Sequence, residues 1–290
     1  AAAPPAVKRP RSPSGVRVVG LAGATLLDVS PAPPDVCALK LSIEQALACP
    51  VELQRLVESG GSRILADGEQ LPEGCAQLTL VVDESPLSSW DVAGNPCRDM
   101  LEVEGSVLSC PRLRTDYVNV LSRVPVRRGR HYFRFVMHAI GDEQWCGLAR
   151  GGRGLSQAGS RLSGRKLDAW TYYCGRVGDP TRSIVDGLGA LHASGSAIAE
   201  FRKPRPAGDV IGMLVDMDLG RVVFDLNGDL QGACEVAREA LWVVTHVDDP
   251  ADRVELQKPS VDQAPEAVVQ ALHGPLLGPE GTPLVYSAWR

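Results

Sequence analysis

The clearest pattern of hydrophobic and polar positions lies in residues 208–228. Residues 210–215 form a short continuous apolar run, which is typical of a strand covered on both faces. Residues 221–226 alternate instead, with Phe224 in the middle of the apolar side, as expected for a second strand. Turn-forming residues separate and follow these runs: Asp216, Asp218, Gly220, Asn227 and Gly228. The pattern therefore predicts a hairpin that pairs with strands from the segments before and after it.

Residues 15–84 carry a separate set of patterns, in which strands surround one helix. Behind a potential N-cap residue, Asp35, apolar residues follow at helical spacing: Val36, Leu39, Ile43, Ala46 and Leu47. Pro50 ends this pattern. Alternation and turn residues predict strands at 16–21, 25–29, 54–58, 63–66 and 78–82. The order β-β-α-β-β-β, with residues 21–25 and 65–71, resembles the ubiquitin-like β-grasp fold, which implies a docking surface.

Between residues 85 and 258, short strands alternate with glycine-rich turns. The strongest strand pattern, residues 130–137, places Phe133, Phe135 and Met137 on one side. Trp145 and Trp242 lie inside strand patterns and are expected in the core. This spacing predicts a β-sandwich, and the irregular stretches 151–164 and 178–195 are long enough to be binding loops.

The two terminal segments lack such patterns. Residues 1–14 are rich in Pro, Ala and basic residues, so a disordered solvated tail is expected there. A nuclear signal or a phosphorylation site at Ser12 is the alternative for that tail. After Pro259 the chain is rich in Gly and Pro, which predicts a linker or peripheral tail over 259–290. Within it, one short helix is predicted from Pro265.

Several segments together resemble the SPRY domain family. Residues 208–228 match its Gly-Asp-Val-Ile-Gly signature, which ends at Asn-Gly. Further segments that resemble the family follow the family's order: 129–133, 145–149, 172–176, 241–244 and 253–256. The resemblance covers residues 88–258 and implies an antiparallel β-sandwich. The expected fold is therefore mainly β, with a disordered tail (1–14), a ubiquitin-like α+β domain (15–84), a SPRY-type sandwich with its lead-in (85–258) and a tail (259–290).

Composition excludes several classes of protein. A net charge of −5 and an ordinary apolar fraction indicate neither a basic nucleic-acid-binding surface nor a disordered chain. No apolar run approaches the roughly 18 residues that a membrane-spanning segment needs. The eight cysteines form no Cys-x-x-Cys pair, so reduced thiols in an intracellular, cytoplasmic protein are expected. An organelle reached through a removed targeting peptide stays an alternative.

The polar motifs do not assemble a catalytic or metal site. Residues 151–154 (Gly-Gly-Arg-Gly) lack the Lys-Ser/Thr of a phosphate-binding loop. Asp216 and Asp218 resemble half a calcium loop, but its third oxygen ligand and its last Glu are missing, and a turn explains both residues. The five histidines fall at no ligand spacing and are expected at the surface or at strand edges. The sequence therefore predicts a protein without catalytic activity, metal or cofactor.

Candidate partner-binding residues come from segments that flank the predicted strands: Arg150, Tyr172, Tyr173, Arg176, Lys203 and Arg205. Because Tyr and Arg are favoured at binding hot spots, at least one of the two tyrosine rings is expected to face solvent or a ligand. A structural role for the tyrosines is the alternative. The SPRY resemblance implies that these segments, together with residues 246–249, face a peptide or protein partner.

The resulting hypothesis is a non-catalytic adaptor with two docking modules. The SPRY loops recognise a target, and the ubiquitin-like domain docks a second partner. Two alternatives stay open, a regulatory or substrate-recognition part of a larger ubiquitin ligase and a structural subunit of a large assembly. Nucleic acid is not expected as a partner.

Overall fold

The protein is mainly β, and its described residues form two compact units that divide between Glu84 and Ser85. The computed structural model describes residues 15–59, 61–72, 77–112, 118–141, 143–151, 169–176, 189–193, 196–205, 207–247 and 249–276. No helix among these residues is long and apolar enough to cross a membrane.

The first unit is a mixed four-stranded sheet with one helix, an arrangement like that of a β-grasp fold. Its elements are β1 (Val16–Val19), β2 (Thr25–Val29), α1 (Val36–Leu47), β3 (Gln54–Glu58) and β4 (Gln77–Val82). The strand order is β2-β1-β4-β3, with β1 and β4 parallel in the middle. Apolar side chains from the helix and the sheet form one core, which includes Val18, Leu39, Ile43, Leu56 and Leu78.

The helix begins as the sequence predicts, because the Asp35 carboxylate accepts a hydrogen bond of 2.8 Å from the backbone N–H of Ala38. It ends at Leu47, since Ala48 adopts a left-handed conformation with φ of 56°. The predicted apolar stripe is buried over its first part only, and both Ala46 and Leu47 are exposed. The reason is that the last turn extends past the edge of the core.

One predicted strand of this unit is absent from the sheet. Residues 63–66 contribute a single bridge, between Val57 and Ile64. The segment then turns away, because the backbone N–H of Glu69 donates to the carbonyl of Ala66 at 3.0 Å. This turn directs the chain away from β3 after one bridge.

The second unit is an antiparallel β-sandwich. Its strands are β5 (Glu102–Glu104), β6 (Val107–Ser109), β7 (Asn119–Leu121), β8 (Arg130–Ala139), β9 (Glu143–Arg150), β10 (Ala169–Arg176), β11 (Gly189–Ala193), β12 (Ser196–Phe201), β13 (Val210–Asp216), β14 (Arg221–Leu226), β15 (Asp229–Glu235), β16 (Leu241–His246) and β17 (Arg253–Gln257). One sheet has the order β12-β11-β10-β9-β16-β7 and the other β15-β14-β13-β8-β17-β6-β5. These strand orders confirm the predicted mainly β fold, in which a SPRY-like sandwich follows a β-grasp-like unit in the chain.

The predicted hairpin lies inside the larger sheet, between β15 and β8. β13 pairs with β14 on one side and with β8 on the other. Phe133, Phe135 and Met137 of β8 are fully buried, as their alternation predicts. Between the two sheets, the ring of Tyr172 packs against Phe224 at a centroid distance of 6.1 Å and against Phe201 at 5.0 Å. Phe201 belongs to the same sheet as Tyr172 and also contacts Phe224, at 6.2 Å, so the two contacts with Phe224 join the two sheets into one core.

The short helix predicted from Pro265 is confirmed, whereas a linker is the wrong description of residues 261–276 because they pack on the sandwich. A short helix, α2 (Glu266–Ala271), packs on the outer face of the larger sheet, where Val268 and Leu272 are buried. There they join Tyr132, Leu214 and Val223. The Arg221 guanidinium donates to the carbonyls of Leu272 and Gly274 at 2.9 and 2.7 Å, which fixes the end of the helix. This segment explains why both sides of β14 are buried.

The irregular stretch predicted at 178–195 is also partly wrong, because residues 189–193 form β11. The strand contains mainly small residues, which give little hydrophobic alternation. Its pairing with β10 and β12 places it inside the sheet. The remainder of that stretch, the predicted loop beyond Gly151 and the predicted tail at 1–14 lie outside the described residues.

Among the seven cysteines that the structure describes, native alkylation is expected to modify Cys37 first. This side chain is exposed, whereas five other thiols are buried: Cys97, Cys110, Cys146, Cys174 and Cys234. Burial also raises the pKa of the Cys146 and Cys234 thiols, and the thiolate is the reactive form. A time course with iodoacetamide, read by peptide mass spectrometry, tests this order. In denaturant without reductant all eight cysteines should be labelled, and disulfide-linked peptides from quenched native protein would contradict the prediction of reduced thiols.

Candidate interaction surface

The connections between strands lie at two ends of the sandwich. One end contains residues 122–130, 150–151, 216–221 and 236–241. Strand pairing brings these ranges together, since Arg130 pairs with Asp216, and Val126 and Arg150 both pair with Leu241. We call this the arginine end. At the opposite end are residues 140–141, 202–209, 227–229 and 249–252, together with the last residue of β10, which pairs with Glu143.

The expectation that a ring of Tyr172 or Tyr173 faces solvent is wrong. Both side chains are buried, Tyr172 completely. Its hydroxyl donates to the carbonyl of Arg202, and burial raises its pKa well above the ordinary value. Tyr173 points to the other face of the sheet and packs with Trp145 in a second apolar cluster. The structural alternative therefore holds, and both tyrosines belong to the core rather than to a binding face.

The candidate arginines do not form one cluster. Register in the smaller sheet pairs Ala169 with Ala149 and Arg176 with Glu143. Arg150 and Arg176 thus lie at opposite ends of the β9–β10 pair, roughly 20 Å apart at about 3.3 Å per residue. The side chain of Arg176 is outside the described residues. Antiparallel pairing causes this separation, since each strand end lies beside the start of its partner.

Lys203 and Arg205 follow β12 and lie at the opposite end. Lys203 is half-buried and Arg205 is exposed. The backbone N–H of Arg205 donates to Asp209 at 2.7 Å, so the connection has a defined conformation. Of the predicted binding residues described with side chains, Lys203 and Arg205 share one end and Arg150 occupies the other.

Arg150 belongs to a group of aromatic and charged residues at the arginine end. It forms an ion pair with Glu239, and its guanidinium lies 6.0 Å from the ring centroid of Trp170. The Trp242 ring lies against Gly151, where an added Cβ would come within 2.0 Å of it. Trp170 is buried, whereas Trp242 stays half-buried. The expectation of core positions is therefore confirmed for Trp145 and wrong for Trp242, which lies at a sheet end.

The sequence reasoning missed a basic segment at this end. Residues 123–130 (Arg-Val-Pro-Val-Arg-Arg-Gly-Arg) contain four arginines and no acidic residue. We call them the arginine segment. The side chains of Arg123, Arg127 and Arg128 are exposed, while the apolar residues between them are buried. The four arginines are visible in the sequence as a local run of positive charge. The small net negative charge of the whole chain does not reveal such a local excess.

Backbone hydrogen bonds anchor the arginine segment to both sheets. Val126 and Leu241 exchange two bonds, of 2.7 and 3.0 Å, and Ser122 accepts from Val243 at 3.1 Å through its side chain. At the far end the carbonyl of Gly129, a residue with φ of 71°, accepts from Met217 at 3.0 Å. The exposed arginines therefore project from a fixed backbone.

The buried carboxylates of the sandwich have structural partners. Asp216 accepts from the Arg130 guanidinium at 3.0 Å and from the backbone of Leu219 at 2.9 Å. Asp252 accepts from the backbone of Gly141 and of Asp249. Asp225 accepts from the Tyr132 hydroxyl at 3.0 Å. Burial raises the pKa of Asp225 and raises that of Tyr132 to about 12. Among the described residues no group of three or more side chains could hold a metal ion.

One histidine is buried, against expectation. His246 is inaccessible to solvent, and its ring stacks on Trp145 with centroids 3.8 Å apart and planes inclined by 11°. The stacking places His246 on the outer face of the smaller sheet, beside the Trp145–Tyr173 cluster. Aromatic packing within the sheet outweighs the polar character of the imidazole.

No protein-family model and no curated protein sequence is significantly similar to the chain. Among solved structures, the SPRY domain of human HERC1 is 19% identical with a TM-score of 0.41, and the match covers 58% of this chain and 96% of that one. The TRIM65 PSpry domain is 14% identical with a TM-score of 0.43, over 58% and 88%. The metal-free carbohydrate recognition domain of Emp46p is 9% identical with a TM-score of 0.42, over 61% and 90%. The strand order and the residue pattern at 208–228 therefore remain the basis of the SPRY-like description.

Proposed function

We propose that the protein is a non-catalytic adaptor whose sandwich binds a peptide or protein partner through residues at the ends of its sheets. The observation that carries this proposal is the group of exposed arginines and a half-buried tryptophan on a fixed backbone at the arginine end. Arg and Trp dominate interface energetics when they are held in place before binding. The SPRY-like sandwich is a rigid support of the kind that such recognition requires.

The roles of the polar residues support a function without catalysis. Asp216, Asp225 and Asp252 each hold a turn or a neighbouring strand through hydrogen bonds. A carboxylate committed to backbone donors is poorly suited to accept and release protons during a reaction. Two acidic residues of the 208–228 signature, Asp216 and Asp225, are thereby explained by folding.

The first unit offers features of a second docking surface. Leu21 is 79% exposed at the turn after β1, and Ile64 is 58% exposed on the segment after β3. A unit of this size needs most of its apolar residues for its core, so large exposed apolar side chains are notable in it. Exposed side chains of this kind support a second partner for the ubiquitin-like unit, which the adaptor hypothesis requires.

Site-specific photo-crosslinking tests the adaptor function. A photoreactive phenylalanine analogue replaces one exposed residue in the full chain, at Arg127, at Arg205 or at Leu21. A discrete protein adduct at either sandwich position, reproduced with purified partner, is expected. His138, which is 41% exposed on a strand of the larger sheet, is the matched control position. Equal yields at the control position, or no protein adduct at Arg127 and Arg205, would contradict the proposal.

A further inference from the structure

We propose that the arginine end recognises an acidic protein segment, one rich in Asp and Glu, and that the arginine segment supplies the main contacts. The inference rests on the proposed adaptor function and adds the chemistry of the partner. Three observations lead to it: the local excess of positive charge, the lack of a carboxylate partner for three of the arginines among the described residues, and the fixed backbone beneath them.

The charge at this end departs from that of the whole chain. The arginine end contains seven arginines: Arg123, Arg127, Arg128, Arg130, Arg150, Arg221 and Arg238. With Glu235, the last residue of β15, which pairs with Arg221, four carboxylates accompany them: Asp216, Asp218, Glu235 and Glu239. The whole chain carries a net charge of −5. An acidic ligand would therefore be attracted to this end while the rest of the chain repels it.

Part of this charge is not neutralised by any carboxylate among the residues that the structure describes. Arg130 is paired with Asp216 and Arg150 with Glu239. Within the part of the chain that the structure describes, no carboxylate lies within ion-pair distance of Arg123, Arg127 or Arg128. Each of these guanidinium groups keeps its full set of donors for a ligand. A planar guanidinium binds a carboxylate with two parallel hydrogen bonds, a geometry that Lys cannot provide.

The anchored backbone makes these arginines suitable for binding rather than only for solubility. The apolar residues between them, Val124 and Val126, are 6% and 1% exposed. The carbonyl of Arg128 is held by the His131 ring at 2.7 Å. Since the loop does not have to become ordered when a ligand arrives, the entropic cost of binding is limited to the side chains.

Among anionic partners, the surroundings favour a protein segment over nucleic acid. Asp218 and Glu235 lie at this end and are exposed, and they would repel a continuous phosphate backbone that crosses it. Trp242, half-buried beside Gly151, offers apolar surface for a side chain between acidic residues. A short acidic segment can contact Arg127 and Arg128 and still avoid the two carboxylates.

Fluorescence anisotropy with defined probes tests the inference on the full chain. The probe is a fluorescein-labelled dodecapeptide of Glu, Asp, Gly and Tyr. The variant Arg127→Glu/Arg128→Glu is expected to weaken peptide binding at least about tenfold. The variant Arg127→Lys/Arg128→Lys should weaken peptide binding less, because Lys keeps the positive charge but lacks the planar guanidinium. The matched control, Arg112→Glu/Arg253→Glu, makes the same charge change at two exposed arginines outside the arginine end and should retain wild-type affinity. All variants should melt at the wild-type temperature, since Arg127, Arg128, Arg112 and Arg253 are exposed.

Several outcomes would overturn the inference. If the arginine-end and control variants lose peptide affinity equally, the effect comes from net charge alone. If the peptide still binds the Arg127→Glu/Arg128→Glu variant, the binding site lies elsewhere. Equal or tighter binding of a labelled oligothymidylate of the same length would identify nucleic acid as the partner. Absence of peptide binding would reject the acidic partner but leave the photo-crosslinking result intact, so failure here is distinguishable from failure of the adaptor function.

Discussion

Phe224→Ala is expected to lower the free energy of unfolding of the sandwich by about 3–5 kcal/mol, as is typical when a buried aromatic side chain is truncated. The ring is completely buried in β14. It contacts Tyr172 and Phe201 of the opposing sheet, so its loss leaves a cavity between the two sheets. Strands on both sides of β14 hold the backbone in register, which limits how far the structure can collapse into that cavity.

Urea unfolding followed by tryptophan fluorescence measures this change in the full chain. All five tryptophans follow residue 85, so the signal reports on the sandwich and not on the first unit. Leu230→Ala is the matched control, because Leu230 lies on the neighbouring strand β15 and is 42% exposed. The control should change the free energy by less than about 0.5 kcal/mol. A Phe224→Ala variant as stable as the control would mean that this ring does not join the two sheets.

The sequence predicted elements whose determinants are local. The hairpin of β13 and β14 has a continuous apolar strand and an alternating strand, and turn residues mark its limits. Asn227 and Gly228 adopt positive φ angles of 54° and 88°, which is the backbone that their residue types favour. The start of α1 was equally clear, since Asp35 both precedes the apolar stripe and caps the helix. In each case residues close in the chain determine the structure.

Features that depend on distant residues could not be predicted in this way. The sequence of α2 shows three apolar residues in a Gly/Pro-rich context, and only the outer face of the larger sheet makes them a core element. The burial of Tyr172 likewise depends on Phe201 and Phe224, which are far away in the chain. A tyrosine next to a Gly-Arg pair has the same local pattern in a core strand and at a loop.

The candidate site shows the same division between local and distant determinants. Arg150, Lys203 and Arg205 were identified by residue type, but their distribution over two ends follows from strand register alone. The arginine segment was visible in the sequence as four arginines in eight residues. Its value for binding depends on bonds to Leu241, Val243 and Met217, which belong to two later segments of the chain.

Gly147→Ala is the second substitution with a large expected effect. Gly147 lies in β9, between β10 and β16. A Cβ at this position would lie 2.1 Å from the carbonyl oxygen of Trp170 and 2.8 Å from the Cα of Thr171. Both atoms belong to the backbone of the paired strand, so no flexible side chain can move aside. Relief requires the two strands to separate or shift, and overpacking of this kind costs about 1–3 kcal/mol and occasionally more.

We therefore expect Gly147→Ala to lower the free energy of unfolding by about 3 kcal/mol, at the upper end of that range, in the same fluorescence measurement. Gly274→Ala is the matched control, since an added Cβ there meets its nearest neighbour at an ordinary 3.7 Å. By restricting the unfolded chain, the control substitution should leave stability unchanged or raise it by up to about 1 kcal/mol. If Gly147→Ala were as stable as Gly274→Ala, the close approach of β9 and β10 would be wrong. The register that separates Arg150 from Arg176 would then fail with it, because the same backbone pairing determines both.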